Sequence, residues 1–318
     1  MLLSSVFFTT PQVIAQQDDY SNSNNYANYY NEGIAHFEDA QYSNAITSFT
    51  RALKLNPRHS NTRNNLAASY ISRGNYFLTQ TKDFDKAAND YRNAMYYLKF
   101  DGPSDIKVSE KASNNYKAAQ DNLKSALNTQ KETMGDLKEA KKLRAKGKFR
   151  PAIVEYFLTI DKKSPSAQTY EEIGDVYNVL QNYESSLSAY NKAAKIQPQK
   201  ASLWAKIGFA NQKLDKTDDA IAAFNQASAL DSNNMDVLNT LEKIWINEIR
   251  TNPDNAGARA NLAIVFQKKG LYERALTEYR KAEQLDPKNK TIRLNHGTLL
   301  QAKGDYTTAI RAYDSILE

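Results

Sequence analysis

Apolar positions along this chain recur three and four residues apart rather than alternating, in runs of roughly a dozen residues separated by short polar turns, which is the pattern of amphipathic helices. An aromatic recurs inside these runs: Phe49, Tyr91, Tyr156, Tyr190, Phe224, Trp245, Tyr279 and Tyr313. Four residues earlier stands a small residue in most copies (Ala45, Ala87, Ala152, Ser186, Ala220, Ala275, Ala309), and three residues later often another alanine (Ala52, Ala94, Ala193, Ala227, Ala282). Spacings of i, i+4 and i+7 put all three on one helix face. The small residues let a neighbouring helix approach closely, and the aromatic fills the space between. Successive aromatics are 42, 65, 34, 34, 21, 34 and 34 residues apart. A recurring interval of 34 is the length of a helix–turn–helix unit.

Upstream of each such helix lies another with its own spacing. Tyr170-x-x-Ile173-Gly174-x-x-Tyr177 and Trp204-x-x-Ile207-Gly208 show it most clearly. Asn65-Leu66-Ala67-x-x-Tyr70, Asn261-Leu262-Ala263-x-x-Phe266 and Asn295-His296-Gly297 are variants of it. With these residues the chain resembles the tetratricopeptide repeat (TPR) family, whose pattern is W-x2-L-G-x2-Y, then A-x3-F, then P. The resemblance runs over residues 26–318 apart from the middle. It implies an all-α, right-handed α-solenoid of helix–turn–helix repeats, with a concave groove lined by the first helix of each pair.

Three departures from the period divide the chain. A leader and lead-in occupy 1–25, and an N-terminal pair of repeats 26–104, its second repeat carrying eight extra residues around "YFLTQTKDF". In 105–134 the apolar or alanine positions 108, 112, 116, 119, 123 and 126 predict one long amphipathic helix. Packing into the array is favoured over coiled-coil dimerisation as its role. Central repeats fill 135–234. A helix around Trp245 without room for a partner fills 235–255, and a C-terminal pair fills 256–318.

Composition adds little to the fold and more to the setting. Glycine and proline are scarce, at 11 and 8, and there is no cysteine. That excludes a disulfide framework, a thiolate zinc site and a thiol nucleophile. "MLLSSVFFTTPQVIA" reads as the apolar part of a signal peptide ending at Ala15, although it lacks a basic start. It is too short to span a bilayer, and it leads to the expectation of export to a periplasmic or extracellular space.

A search for chemistry returns no catalytic set. The chain holds no H-E-x-x-H, no G-x-S-x-G, no phosphate loop and no calcium loop. Of its three histidines, His36 and His296 fall on core-side positions by register, and His59 follows an Asn-Pro turn, where solvation is expected. The expectation is a non-catalytic protein without metal or cofactor.

Binding candidates come from the register of the first helices. Their sixth residues, Asn31, Asn65, Glu172, Lys206, Asn261 and Asn295, should point into the groove. Asparagine there resembles the ladder by which some members of the family hold a peptide main chain, since a carboxamide donates and accepts at once. The carboxylate clamp of heat-shock co-chaperones is not matched, because Tyr30 and Ile34 stand where it needs lysine and asparagine. Glu171, Glu172 and Asp175 share one face and should favour a basic ligand unless Lys206 neutralises them. Phe209, Ala260, Ile264 and Leu294 make the later groove apolar. Residues 138–150, "KEAKKLRAKGKFR", hold seven basic residues and one acid, so their net charge equals the +6 of the whole chain. Lys138, Lys141, Lys142, Arg144, Lys146 and Lys148 are thus candidates for an anionic surface or acidic partner. Base stacking lacks a platform, which disfavours specific nucleic acid. The reading is a scaffold for another protein or peptide, taken as an extended segment or helix. The rival is a regulatory or anchoring region of a larger assembly that acts through 138–150 or the long helix.

Overall fold

The computed structural model describes residues 24–100, 110–130, 134–160 and 166–317. The leader up to Ala15 and both edges of the expected 105–134 helix lie outside them. Among the described residues there are sixteen α-helices and two π-turns and no strand. None of these helices is long and apolar enough to cross a membrane. Two compact units divide between Ser186 and Leu187.

In the N-terminal unit α1 (Asn24–Glu38) pairs with α2 (Tyr42–Leu55), and α3 (Ser60–Tyr76) with α4 (Phe84–Met95). The long helix α5 (Glu110–Thr129) follows. Then come the pair α6 (Leu137–Ala145) and α7 (Phe149–Ile160), next α8 (Ala167–Val179), and the start of α9 (Tyr183–Ile196). The C-terminal unit pairs α10 (Ala201–Lys213) with α11 (Thr217–Leu230), α13 (Ala256–Lys268) with α14 (Tyr272–Leu285), and α15 (Lys290–Ala302) with α16 (Tyr306–Leu317). Between the first two pairs stands α12 (Met235–Thr251).

In several pairs the aromatic of the second helix docks into a glycine notch on the first. A Cβ added to Gly33 would come within 2.5 Å of the Phe49 ring, one on Gly208 within 2.5 Å of Phe224, and one on Gly297 within 2.7 Å of Tyr313. Each ring follows its glycine by sixteen residues. Missing side-chain volume on one helix is thus matched to a ring on the next, and Phe49 and Phe224 are fully buried. Inside each pair, one residue takes a left-handed backbone conformation to reverse the chain: Ala40, Lys82, Gly147, Gln181, Asp215, Gly270 or Gly304. Between pairs another turn recurs. His59, Asn255 and Asn289 each cap the following first helix with a side-chain acceptor for the backbone N–H three residues on.

The eight extra residues of the second repeat do not form a loop. They lengthen α3, which winds into a π-turn at Phe77–Thr81, and α4 ends in another at Tyr96–Phe100. In this repeat Ala67 holds the usual notch position, and the notch for Tyr91 has moved two turns along to Gly74, where an added Cβ would lie 2.8 Å from the ring.

The long helix α5 packs within the chain. Asn115 Nδ2 donates to Asn64 Oδ1 at 3.0 Å and Asn122 Nδ2 to Asn75 Oδ1 at 3.0 Å, so α5 runs parallel to α3. Gln130 donates to Asp85 at 3.1 Å, so it runs antiparallel to α4. Those are the directions a next first helix would take. Its stripe of Ala119, Leu123, Ala126 and Leu127 is buried within this unit.

Helix α12 accounts for the interval of 21. It starts as a first helix does, capped by Asn234 on the Val237 N–H, and it ends as a second helix does, at Asn252-Pro253. Its first half packs Val237, Leu238 and Leu241 against Phe224 of α11. Its second half turns Trp245 and Ile249 toward the core of α13 and α14. One helix thus does the work of two.

Candidate functional site

The inner-face residues of the first helices fare differently in the two units. In the C-terminal unit Asn261 and Asn295 are half-exposed, and neither side chain makes a hydrogen bond among the described residues. Leu294 is 50% exposed, Phe209 36%, and Ile264 covers the edge of the apolar core beneath it. Phe209 meets Phe224 edge-on at 5.0 Å. The Lys206 ammonium stands over the Tyr190 ring at 5.6 Å. Helices α10, α13 and α15 carry lysine or arginine at 206, 213, 259, 268, 290 and 293 and no acid at all. Lys268 donates to the carbonyl and hydroxyl of Ser228, and burial pulls its ammonium below the ordinary lysine value.

In the N-terminal unit Asn31 is exposed, but Asn65 is fully buried and donates to the Tyr30 hydroxyl at 3.2 Å. The expectation that Asn65 faces a ligand is therefore corrected. Register identifies the face of a helix, and here Tyr30 of the preceding first helix covers that face. The tyrosine that spoils the carboxylate clamp is the one that occupies the asparagine. His59 is corrected likewise: rather than standing in solvent it caps α3, with Tyr26 and Tyr30 edge-on at 5.2 and 5.6 Å.

The acidic face of α8 and the basic segment meet each other. Lys141 lies 3.4 Å from Glu172, and Arg144 lies 3.6 Å from Asp175. Glu172 also accepts from the Tyr156 hydroxyl at 2.8 Å and from Gln168 at 3.0 Å, and Glu171 is half-buried. Burial, with Glu172 adding to it, pushes the Tyr156 phenol up. Lys142 pairs with Glu139 at 3.0 Å. Two expectations thus change together: Glu172 and Asp175 are not an open acidic face, and only part of the basic segment is uncommitted. Lys138, Lys146 and Lys148 are exposed and make no ion pair among the described residues.

Two strong pairs had no sequence signal. Arg92 on α4 donates to Glu155 on α7 at 2.8 Å, with side chains 4% and 0% exposed. The other Glu155 oxygen accepts from the Gly135 N–H at 2.6 Å, so a single carboxylate ties α4, α7 and the turn before α6. Arg73 grips Asp90 through two bonds of 2.7 and 2.9 Å. Burial nevertheless holds the Asp90 carboxyl above its ordinary value against the pull of Arg73.

No group of three or more His, Asp or Glu side chains that could hold a metal ion occurs among the described residues. His36 bonds to Gln41 at 3.0 Å and His296 to Glu283 at 2.9 Å, each a pairing within one helix hairpin or between neighbours in the stack.

Family models now bear on the assignment. Models described as tetratricopeptide repeat match residues 26–59 and 210–290, and one described as TPR repeat matches 174–215. The chain thus carries tetratricopeptide repeats over residues 26–59 and 174–290. The all-α helix pairs within each unit fit those repeats, and the repeats support a role as a protein-interaction scaffold. No curated protein matches the sequence. Among solved structures, crystalline MamA is similar at 21% identity over 56% of this chain and 92% of that one, with a TM-score of 0.29. The P58(IPK) TPR domain is similar at 15% identity over 92% of both chains, with a TM-score of 0.31. The TPR2AB domain of yeast Sti1, in complex with pHSP90, is similar at 16% identity over 92% of this chain and 89% of that one, with a TM-score of 0.25.

Proposed function

We propose that this TPR protein is a non-catalytic scaffold that captures an extended segment or helix of a partner protein on the inner face of its C-terminal repeats. The supporting observation is the contrast between equivalent asparagines. Asn65 is spent inside the fold, whereas Asn261 and Asn295 are half-exposed with unused carboxamides beside Ile264 and Leu294. A surface with apolar contact and paired donor–acceptor groups can hold a main chain whatever its side chains. The absence of acids from α10, α13 and α15 favours partners that carry carboxylates. Export remains part of this reading and rests on the apolar leader ending at Ala15.

The experiment is capture of the native partner by the protein immobilised through its C-terminus, then comparison with an Asn261→Ala/Asn295→Ala variant. Two lost bonds at about 1 kcal/mol each should weaken capture by roughly 30-fold. Equal retention by both proteins would place the partner elsewhere. N-terminal sequencing of protein recovered from its host should begin near Gln16; an intact Met1 in the cytosol would overturn export.

A further inference from the structure

Two cavities in the N-terminal unit, of about 270 and 330 Å³, share Arg73, Asn89 and Lys148 and form one cleft between the α3–α4 turn and the α6–α7 turn. Four cations line it, Arg73, Lys86, Lys148 and Arg150, against two carboxylates, Asp85 and Asp90. Asp90 is consumed by Arg73, and Lys86 by Asp83 at 2.8 Å. That leaves two cations, Arg150 and Lys148; Lys148 makes no ion pair, although its charge also acts on Asp83 and Asp90, and Lys146 is exposed beside it on the same turn.

The cleft is built rather than incidental. Arg73 is fixed by its two bonds to Asp90, and the Arg150 guanidinium lies over Tyr96 and Tyr97 at 5.7 and 5.3 Å. Arg73 is neutralised by Asp90, so it is the stacked Arg150 whose positive charge is held in place before any ligand arrives, which lowers the ordering cost of binding. The walls add Tyr70, Phe77, Phe149 and Leu180, so an apolar side chain can lie beside the charge. Behind these groups the Asn89 Oδ1 is buried without a hydrogen-bond partner.

We propose that this cleft binds a short acidic segment of a protein partner, a carboxylate pairing with Lys148 and an adjacent apolar side chain lying against the aromatic walls. This contact is separate from the C-terminal groove, and it narrows the role of the basic segment from a general anionic surface to one turn.

The test uses a fluorescent peptide of alternating Glu and Leu, read by anisotropy at low salt. The intact chain should bind it, and Lys148→Glu should weaken binding by about tenfold or more through loss of one pairing and gain of one repulsion. Lys138→Glu, equally exposed on the same segment but outside the cleft, should change it by less than about twofold. The Asn261→Ala/Asn295→Ala variant should bind this peptide normally, which separates the cleft from the groove. The proposal falls if the peptide does not bind, if the two lysine variants weaken it equally, or if anionic phospholipid vesicles retain the protein while the peptide does not. Lys148 is exposed, so an unchanged melting curve for its variant should accompany these readings.

Discussion

The two units solve one packing problem by different means. Of the buried polar residues among the described ones, thirteen lie in the N-terminal unit and three in the C-terminal one, and all four that carry full charges (Arg63, Asp90, Arg92, Glu155) are in the former. The C-terminal unit keeps the 34-residue period outside α12, and two of its three pairs set a ring into a glycine notch, with Ala263 opposite Tyr279 in the third. The N-terminal unit breaks the period twice, with lengthened helices and an inserted α5, and at those breaks it uses carboxamide and ion pairs. Steric matching needs exact spacing, because a ring that misses its notch by one turn meets a Cβ. A polar pair between long side chains tolerates an offset and still specifies a partner. The comparison teaches that a ring in a notch serves regular and lengthened repeats alike, and that the irregular joins add polar pairs to it.

The largest effect should come from breaking that chemistry. Glu155→Gln leaves Arg92 charged in a dry site, which costs about 3–5 kcal/mol. Hydrogen exchange should rise across residues 84–160 and stay unchanged across 201–317. Replacing both partners by Arg92→Met/Glu155→Leu should recover most of the loss. Uniform loosening of both units by the single variant would break the comparison.

Next in size is the notch. Gly208→Ala drives a Cβ into the Phe224 ring, an overpacking cost of about 1–3 kcal/mol, partly offset by the ~1 kcal/mol that alanine gains over glycine in a helix. Chemical denaturation should show a net loss, and Gly74→Ala should behave alike through Tyr91. A stabilised Gly208→Ala variant would show that the ring has room and that shape is not what joins the regular pairs.

A smaller effect separates the asparagines. Asn65→Ala should destabilise by about 1 kcal/mol, since it removes the bond to the Tyr30 hydroxyl, whereas Asn261→Ala and Asn295→Ala should leave stability within about 0.5 kcal/mol. Equal effects would erase the distinction between spent and unused carboxamides.

The smallest concerns acid. Asp305 accepts from the Thr308 N–H at the start of α16, and that threonine holds its carboxyl below the ordinary value. The stabilisation is present above the unfolded carboxylate range and is lost as pH falls through the lower folded value. Asp305→Asn, which keeps an acceptor without the charge, should flatten the acid limb of α16 stability as read by exchange at its amides.

Much of the fold was legible because its signal is local. The interval from small residue to aromatic, the Asn-Pro turns and the 34-residue period each lie within one or two helices, and they led to the helix pairs, the inserted α5 and the lone α12. What stayed hidden depends on distant neighbours. Asn65 is taken by Tyr30 thirty-five residues away, and Arg92 finds Glu155 across sixty-three. Register said that Glu172 and Lys141 were each available, and nothing in either helix said that they would meet. The shifted notch at Gly74 was visible as a glycine but not as the partner of Tyr91, because lengthening a helix moves every register after it.

The lone helix α12 has a consequence for direction. In an unbroken array the chain reverses twice between one first helix and the next, so all first helices point the same way. From α10 to α13 it reverses three times, and Lys269 at the end of α13 meeting Asn239 near the start of α12 shows the last of these reversals. Helices α13 and α15 therefore run against α10. Each helix carries a partial positive charge at its start and a negative one at its end. On the rim where α10 shows its negative end, α13 and α15 show positive ones. A partner lying along that rim meets a field that changes sign at α12, and the unpaired helix thereby gives an otherwise repetitive surface a sense of orientation.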